Sequence, residues 1–227
     1  MSEIRVMPVP GVGEVGAGDD LASLLAEVAR TELQDGDVLV VTQKVVSKAE
    51  GRVVPDTGRA GVATGEAVRI LRRSGDMVIA ETKHGFVCAN AGVDGSNVAD
   101  GELVLLPVDP DASARRLRAR IRTLVGVDVA VVISDTFGRA WRVGQTDVAI
   151  GVAGIDPFTD YRGTTDTHGR VLHATRICIA DELAAAAEMV MGKSEGICAA
   201  IVRGAPVSPG RGAATQIVRP PGEDLFR

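Results

Sequence analysis

The run 129–138 constrains the fold more than any other part of this 227-residue chain. It opens with five consecutive apolar residues, four of them β-branched, and these are followed directly by Ser134, Asp135 and Thr136. Such a run predicts a strand that is buried on both faces and ends at Ser134. Open α/β sheets bind ligands at the carboxyl ends of their strands, so Asp135 is a candidate ligand for Mg²⁺ or Mn²⁺. The alternative is that Ser134 or Asp135 only caps the next turn.

The composition sets the size and character of the fold. The chain is 45% hydrophobic but only 3% aromatic, which predicts one large or two small domains with a core of aliphatic side chains. A net charge of −5 argues against general nucleic-acid binding but leaves room for one phosphorylated ligand. No segment approaches the roughly 20 apolar residues of a membrane span, and no apolar segment follows the start, so we expect a cytoplasmic protein without a membrane partner.

Three cysteines, Cys88, Cys178 and Cys198, lie far apart in apolar surroundings. Their odd number and wide spacing argue against a disulfide framework, and the sequence contains no C-x-x-C metal motif. We therefore expect buried, reduced thiols, which suits the cytoplasm.

Apolar patterns along the chain alternate between strand and helix signals, which predicts a mixed α/β fold. Strands are expected near 4–9, 37–42, 77–81, 85–89, 103–106, 129–133, 171–180 and 197–202, and helices near 20–30, 64–73, 111–125 and 182–191. The glycine-rich loop 11–18 matches neither a Walker A loop nor a dinucleotide fingerprint, and is by itself more typical of a flexible loop.

Two further segments offer side chains suited to a phosphorylated ligand. If 43–51 forms a short helix, Lys44 and Lys48 share a face and could neutralise phosphate, although two lysines on a solvated face are common. In the segment 90–97, Asp94 could be a second metal carboxylate with Asn97 beside a nucleotide. Taken alone, that segment is explained better by an Asx-turn.

Taken together, several segments resemble the coenzyme F420:L-glutamate ligases, the F420-0:γ-glutamyl ligase family. The segments that carry the resemblance are 41–52 (VTQKVVSKAEGR), 91–98 (AGVDGSNV), 105–113 (LLPVDPDAS), 134–147 (SDTFGRAWRVGQTD) and 180–188 (ADELAAAAE). The resemblance implies GTP-dependent ligation of L-glutamate to the deazaflavin precursor F420-0, with F420-1 as a further acceptor. It implies an acyl-phosphate intermediate and release of GDP and phosphate. Such chemistry needs no protein nucleophile, and the sequence contains no motif for one.

The resemblance also implies roles for individual residues. Asp94, Asp135 and Thr136 match metal-binding positions for Mg²⁺ or Mn²⁺, with two ions per site, and K⁺ is a further candidate ion. Gln216 is a looser candidate ligand near the C-terminus. The implied guanine-nucleotide contacts are Val12, Gly13, Glu14, Val15, Gln43, Lys48 and Asn97, of which Gln43 stands where other members carry serine.

The family fold that the resemblance implies has mixed sheets with flanking helices and forms an intertwined homodimer. Segments 148–154 and 156–170 are candidate exchange or lid elements. Actinobacterial members often carry a second, nitroreductase-like domain, whereas we expect a single ligase domain over residues 1–227. Two other functions stay open: a metal-dependent phosphohydrolase or nucleotidyl-transfer enzyme, and a binding module that holds the deazaflavin without catalysis.

Overall fold

The computed structural model describes residues 3–225, so the two residues at each end of the predicted 1–227 domain lie outside the described part. Its helices and strands follow in this order: β1 (Arg5–Pro8), α1 (Leu21–Ala29), β2 (Val38–Thr42), α2 (Gln43–Ala49), β3 (Val53–Pro55), α3 (Arg59–Glu66), β4 (Ala67–Ser74), β5 (Met77–Thr82), β6 (Val87–Ala89), β7 (Glu102–Val104), α4 (Pro110–Val125), β8 (Ala130–Arg139), β9 (Arg142–Ala153), β10 (Thr159–Asp160), β11 (Arg176–Ile177), α5 (Ile179–Met191) and β12 (Ala199–Arg203). The predicted mixed α/β fold is confirmed.

The main sheet has five strands in the order β1-β12-β2-β8-β9. Only β2 and β8 run parallel, and the other neighbouring pairs are antiparallel. The parallel register places Thr42, the last residue of β2, beside Ser134 of β8. Asp135 is therefore the first residue of β8 beyond the end of its parallel neighbour.

The centre of the main sheet is the core of the protein. Residues 38–41 of β2 and 130–134 of β8 are buried without interruption, as expected for strands covered on both faces. Helices α4 and α5 pack on this sheet. A Cβ on Gly151 would lie 2.5 Å from the backbone oxygen of Pro110, so glycine is needed where α4 meets β9.

Residues of the middle third of the chain form a smaller layer with its own apolar cluster. It contains the antiparallel pair β3-β7 and the three-stranded sheet β4-β5-β6. Its buried residues include Ala63, Val78, Ala80, Val93 and Leu103. The cleft described below lies where this layer meets the end of β2 in the main sheet.

Three of the predicted elements are wrong in detail. The predicted helix 64–73 is instead the end of α3 followed by β4, because β4 pairs with β5 across a two-residue turn at Gly75 and Asp76. A Gly-Asp pair between two apolar runs is a hairpin signal, and the prediction of a helix did not take it into account. The strand predicted over 171–180 is reduced to Arg176–Ile177, and Ile179 and Ala180 already belong to α5.

The third correction concerns the strand that contains Asp135. We expected this strand to end at Ser134, with a cap as the alternative, but β8 continues to Arg139 because β9 pairs with it along this whole length. The cap interpretation of Ser134 and Asp135 is therefore wrong.

The three cysteines are free, and Cys88 and Cys198 are buried as expected, whereas Cys178 is only partly buried. Among residues 3–225, none of the helices combines the length and the apolar character that a membrane crossing requires.

Candidate functional site

A cleft of about 1010 Å³ opens at the end of β2. Its volume is at the upper end of the roughly 300–1,000 Å³ typical of ligand pockets, so it has room for more than one small ligand. The lining comes from the loop before α1, from α2, from the turn that contains Asp94, from β8 and β9, and from the segment after α5. Elements of both layers therefore build one site.

Asp94 lies in a tight turn that follows a strained piece of backbone. Asn90, Ala91 and Gly92 have positive φ angles of 51°, 52° and 74°, and such strain in non-glycine residues is concentrated at functional sites. The Asp94 carboxylate accepts hydrogen bonds from the backbone N–H of Ser96 at 3.0 Å and from its hydroxyl at 2.8 Å. The Asx-turn interpretation is thus correct, and the same turn also lines the cleft.

Lys44, in the first turn of α2, pairs with this carboxylate across the cleft. Its Nζ lies 2.7 Å from Oδ2 of Asp94 and also donates a hydrogen bond to the Ser96 hydroxyl. Burial alone would raise the pKa of Asp94, but the hydrogen bonds from Lys44 and Ser96 outweigh burial and hold it below its usual value.

Asp135 has the opposite electrostatic environment. Burial raises the pKa of Asp135 to about 7, against a backbone hydrogen bond from Thr136 and the charge of Lys44 that lower it. The carboxylates of Asp147 and Asp94 add to the rise. Asp94 and Asp135 are therefore close enough to interact electrostatically, and the structure brings these two predicted metal ligands into one cleft.

The extended β8-β9 pairing brings a third carboxylate, Asp147, to the cleft. Asp147 lies opposite Thr136 in the register and is only 2% exposed. It accepts hydrogen bonds from the hydroxyl of Ser134 at 3.0 Å and of Thr136 at 2.6 Å. The ammonium of Lys193 lies 3.0 Å from the Asp147 carboxylate and 2.8 Å from the Thr136 hydroxyl.

A β-bulge next to Asp135 adjusts this geometry. The register shifts by one residue between Ile133 and Ser134, so that Ile150 of β9 is the extra residue. Bulges of this kind commonly redirect side chains beside functional sites. The bulge ends the continuous apolar pairing and begins the polar stretch that faces the cleft.

Most of the predicted nucleotide contacts line the same cleft, namely Gly13, Glu14, Val15, Gln43, Lys48 and Asn97. The Lys48 ammonium lies 3.3 Å from the carboxylate of Glu14, which ties the glycine-rich loop to α2. Gln43 is 1% exposed, and its Nε2 has no hydrogen-bond partner within the described part of the chain. A buried amide donor without a partner is costly, and a ligand could satisfy it.

Two of the predicted site residues lie outside the cleft lining. Val12 is buried in the main apolar cluster. Gln216 ends a short 3₁₀ helix, where its Oε1 accepts a hydrogen bond from the backbone N–H of Ala213 at 3.0 Å. The structure therefore does not bring these two side chains together with Asp94 and Asp135.

Sequence reasoning overlooked three charged side chains that line the cleft: Asp147, Lys193 and Arg59. Asp147 could have been predicted from the sequence, because it directly precedes the apolar run of β9. Its position mirrors that of Ser134, which directly follows the apolar run of β8. No local pattern distinguishes Lys193 or Arg59 from ordinary surface residues.

The fold and the cleft define the class: a mixed α/β protein organised around one polar cleft, lined by carboxylates and lysines, at the end of the parallel strand β2. The family described as F420-0:Gamma-glutamyl ligase matches residues 11–204. The chain belongs to this family.

Curated relatives agree with this assignment over nearly their whole length. The chain is similar to three proteins named Coenzyme F420:L-glutamate ligase. It is 41% identical to the one from Methanothermobacter thermautotrophicus, with 99% of each chain covered. It is 45% identical to that of Methanopyrus kandleri, covering 99% of this chain and 98% of the relative. For the protein of Archaeoglobus fulgidus the identity is 40%, with 99% and 96% covered. The resemblance to this family is thus confirmed.

Proposed function

We propose that this protein ligates L-glutamate to a deazaflavin coenzyme F420 precursor, F420-0 or F420-1, with conversion of GTP to GDP and phosphate. The single observation that carries the proposal is the meeting of Asp94 and Asp135 in one cleft together with lysine side chains. The names of the relatives support glutamate and the F420 precursor as substrates. The cleft volume suits a reaction with three substrates.

The proposed chemistry activates the acceptor carboxylate, because a carboxylate does not react with an amine unaided. The γ-phosphoryl group of GTP passes to an oxygen of the acceptor carboxylate, which leaves GDP and an acyl-phosphate. The amine of glutamate then attacks the acyl carbon, the bond to the phosphate oxygen breaks, and phosphate and a proton are released. Phosphoryl transfer of this kind depends on positioning and charge neutralisation rather than on a protein nucleophile.

The side chains of the cleft support a route without a covalent enzyme intermediate. Burial raises the pKa of Cys88 to about 12 and that of Cys198 to about 11, so neither thiol of the cleft lining is ionised at neutral pH. Ser134 is buried and donates its hydroxyl to Asp147. Within residues 3–225, histidine is absent from the cleft lining, so Ser134 has no imidazole base beside it.

The donors present fit a divalent ion that is shared with a nucleotide. Within the described residues, no cluster of three or more His, Cys, Asp or Glu side chains could hold a metal. Mg²⁺ is nevertheless commonly bound by one or two carboxylates together with substrate phosphates. Asp94, Asp135 and the Thr136 hydroxyl would hold Mg²⁺ or Mn²⁺, two ions per site, with K⁺ as a further candidate. The ions would supply positive charge to the transferring phosphoryl group.

The lysines of the cleft support the same proposal. Lys44, Lys48 and Lys193 each contact a carboxylate: Asp94, Glu14 and Asp147, respectively. An ammonium on a flexible stem can exchange one anionic partner for another, and lysine is a common phosphate ligand. We propose that Lys44 and Lys48 turn towards the phosphates when the nucleotide binds.

Replacement of Asp135 by asparagine tests the proposal. The variant keeps the shape of the side chain but loses its charge, and we expect glutamate addition to fall by at least about a hundredfold with the fold intact. The assay is mass spectrometry of the deazaflavin after incubation with GTP, Mg²⁺ or Mn²⁺, and glutamate. The matched control is Glu3→Gln, which likewise removes one negative charge, from an exposed ion pair outside the cleft lining, and should not change the rate.

Two results would contradict the proposal. Near-normal ligation by Asp135→Asn would exclude the metal role of this side chain. Nucleotide turnover by the wild-type protein without glutamate and without product would instead favour the phosphohydrolase or nucleotidyl-transfer alternative. Unchanged deazaflavin binding without any turnover would favour the binding module.

We also propose that the protein is a homodimer in the cytoplasm. The β8-β9 hairpin extends beyond the end of β2, and near its tip Trp141 and Val143 are 79% and 102% exposed. Exposed apolar side chains on a projecting hairpin suit a contact with a second copy, which the family resemblance also implies. The three free thiols support a reducing compartment.

A further inference from the structure

We propose that Arg59 binds a carboxylate of the incoming L-glutamate. This inference rests on the proposed ligase function and names a substrate-binding residue for it. Four observations carry it: the charge balance of the cleft, the layer from which Arg59 comes, the shape of the turn beneath it, and the chemistry of the amino acid.

The charge balance of the cleft identifies Arg59. Four cationic side chains line the cleft: Lys44, Lys48, Arg59 and Lys193. Each lysine lies within 3.3 Å of a carboxylate oxygen, at 2.7, 3.3 and 3.0 Å for Lys44, Lys48 and Lys193, respectively. Within residues 3–225, Arg59 has no carboxylate within the 4.0 Å of an ion pair. Arg59 is therefore the cation of the cleft whose charge is left for a ligand.

Arg59 also comes from a different side of the cleft than the lysines. Lys44 and Lys48 belong to α2, which continues directly from β2 of the main sheet, and Lys193 follows α5, which packs on that sheet. Arg59 is the first residue of α3, in the smaller layer. The guanidinium of Arg59 thus reaches the Asp94 turn from the smaller layer, whereas the ammonium of Lys44 reaches it from the main sheet, and a phosphate group that contacts Lys44 and Lys48 need not occupy Arg59.

The turn beneath Arg59 leaves room for its guanidinium group. A Cβ placed on Gly95 would lie only 2.6 Å from Nη2 of Arg59 and 3.3 Å from Leu103. The φ angle of Gly95 is not in the left-handed region, so the backbone does not itself require glycine there. The missing side chain instead lets the guanidinium lie directly over the turn between Asp94 and Ser96, at the edge of the cleft.

The chemistry of glutamate suits such a group. The α-amine has to stay unbound in order to attack the acyl carbon, whereas the two carboxylates take no part in that attack and one of them is free to pair with a cation. A guanidinium binds a carboxylate through two parallel hydrogen bonds, which also orients the molecule. Because Arg59 is exposed, a carboxylate from solution can reach it. Arg59 can therefore both attract the amino acid and fix the direction of its amine.

The test compares Arg59→Met, which removes the charge, with Arg59→Lys, which keeps the charge but loses the paired donors. The matched control is Arg122→Met, which removes an exposed arginine from α4, outside the cleft lining. Three quantities are measured for each protein: the KM for glutamate, the KM for the F420 precursor, and the Kd for GDP by calorimetry. The Kd does not depend on turnover.

We expect Arg59→Met to raise the KM for glutamate at least about tenfold, the effect of losing charge-assisted hydrogen bonds. Arg59→Lys should lie between this variant and wild type, and the Kd for GDP and the KM for the precursor should stay within about twofold. An unchanged KM for glutamate would overturn the inference. A loss of GDP affinity that accompanies the rise in the KM for glutamate would overturn the inference, because it would assign Arg59 to the nucleotide. A rise in the KM for the precursor alone would overturn it as well, by assigning Arg59 to the precursor. Failure of the wild-type protein to add glutamate would refute the proposed function instead, and is recognised before any variant is made.

Discussion

Replacement of Asp147 tests the part of the site that only the structure reveals. Asp147 is 2% exposed and accepts hydrogen bonds from the hydroxyls of Ser134 and Thr136. The change Asp147→Ala leaves the hydroxyl of Ser134, which is 1% exposed, without its acceptor. The change Asp147→Asn keeps an oxygen for Thr136 and offers an amide donor to Ser134, whose hydroxyl can accept as well as donate.

The magnitude follows from these contacts. Each hydrogen bond to a charged acceptor contributes about 1.5–3 kcal/mol, and removal of the carboxylate recovers part of its own desolvation cost. The contact with Lys193 adds little, since more than half of that side chain is exposed and water screens the pair. We therefore expect Asp147→Ala to lower the free energy of unfolding by about 2–4 kcal/mol. For a chain of this length, that corresponds to a fall in Tm of about 5–15 °C. Asp147→Asn should cost about 1 kcal/mol.

Urea denaturation followed by far-UV circular dichroism measures the free energy of unfolding. Tryptophan fluorescence is a poor alternative, because the only tryptophan, Trp141, is already 79% exposed in the folded protein. The exposed pair of Glu3 with Arg5 provides a control, since Glu3→Gln should not change the midpoint measurably. A midpoint for Asp147→Ala equal to that of wild type would refute the reasoning. An Asp147→Asn variant with the same free energy of unfolding as Asp147→Ala would also refute it. The loss of stability would then not depend on the side-chain shape and hydrogen bonds that asparagine keeps.

Two further predictions concern a thiol and the assembly. Burial, together with the charge of Asp181, raises the pKa of Cys178 from 9.0 to about 12. At pH 8 the thiolate fraction falls about a thousandfold, but a thiolate of higher pKa is intrinsically more nucleophilic. We therefore expect iodoacetamide to alkylate this partly exposed thiol about ten- to a hundredfold more slowly than in the urea-unfolded chain, as measured by peptide mass spectrometry. Equal rates in both states would contradict the raised pKa. In sedimentation equilibrium at micromolar concentration we expect the mass of a dimer, and a monomer there would remove the homodimer proposal.

The main elements of the fold could be predicted from the sequence because their signals are local. The capping aspartate and the apolar spacing predicted α1, and Asp20 indeed accepts the hydrogen bond from the backbone N–H of Ser23. The apolar runs predicted β2 and the buried part of β8. The helix predicted over 64–73 failed because the pairing of β4 with β5 outweighed the helical pattern.

The candidate site could be predicted only in part. Asp94, Asp135, Thr136 and the lysines of α2 stood out through their segments and the family resemblance. Their joint presence in one cleft is a structural result, since the Asp94 turn belongs to the smaller layer and Asp135 to the main sheet. The cleft lies at the end of β2 rather than at the end of β8, because β8 continues beyond its parallel neighbour.

The sequence by itself determined the family, the mixed α/β class and the segments that carry the candidate ligands, because these depend on residue identity and short-range spacing. Only the tertiary structure decided which charges meet. The approach of Lys193 to Thr136 and Asp147, and that of Arg59 to the turn at Gly95, join parts of the chain that are distant in sequence. Electrostatic interactions depend on distance in space, and no local pattern encodes that distance.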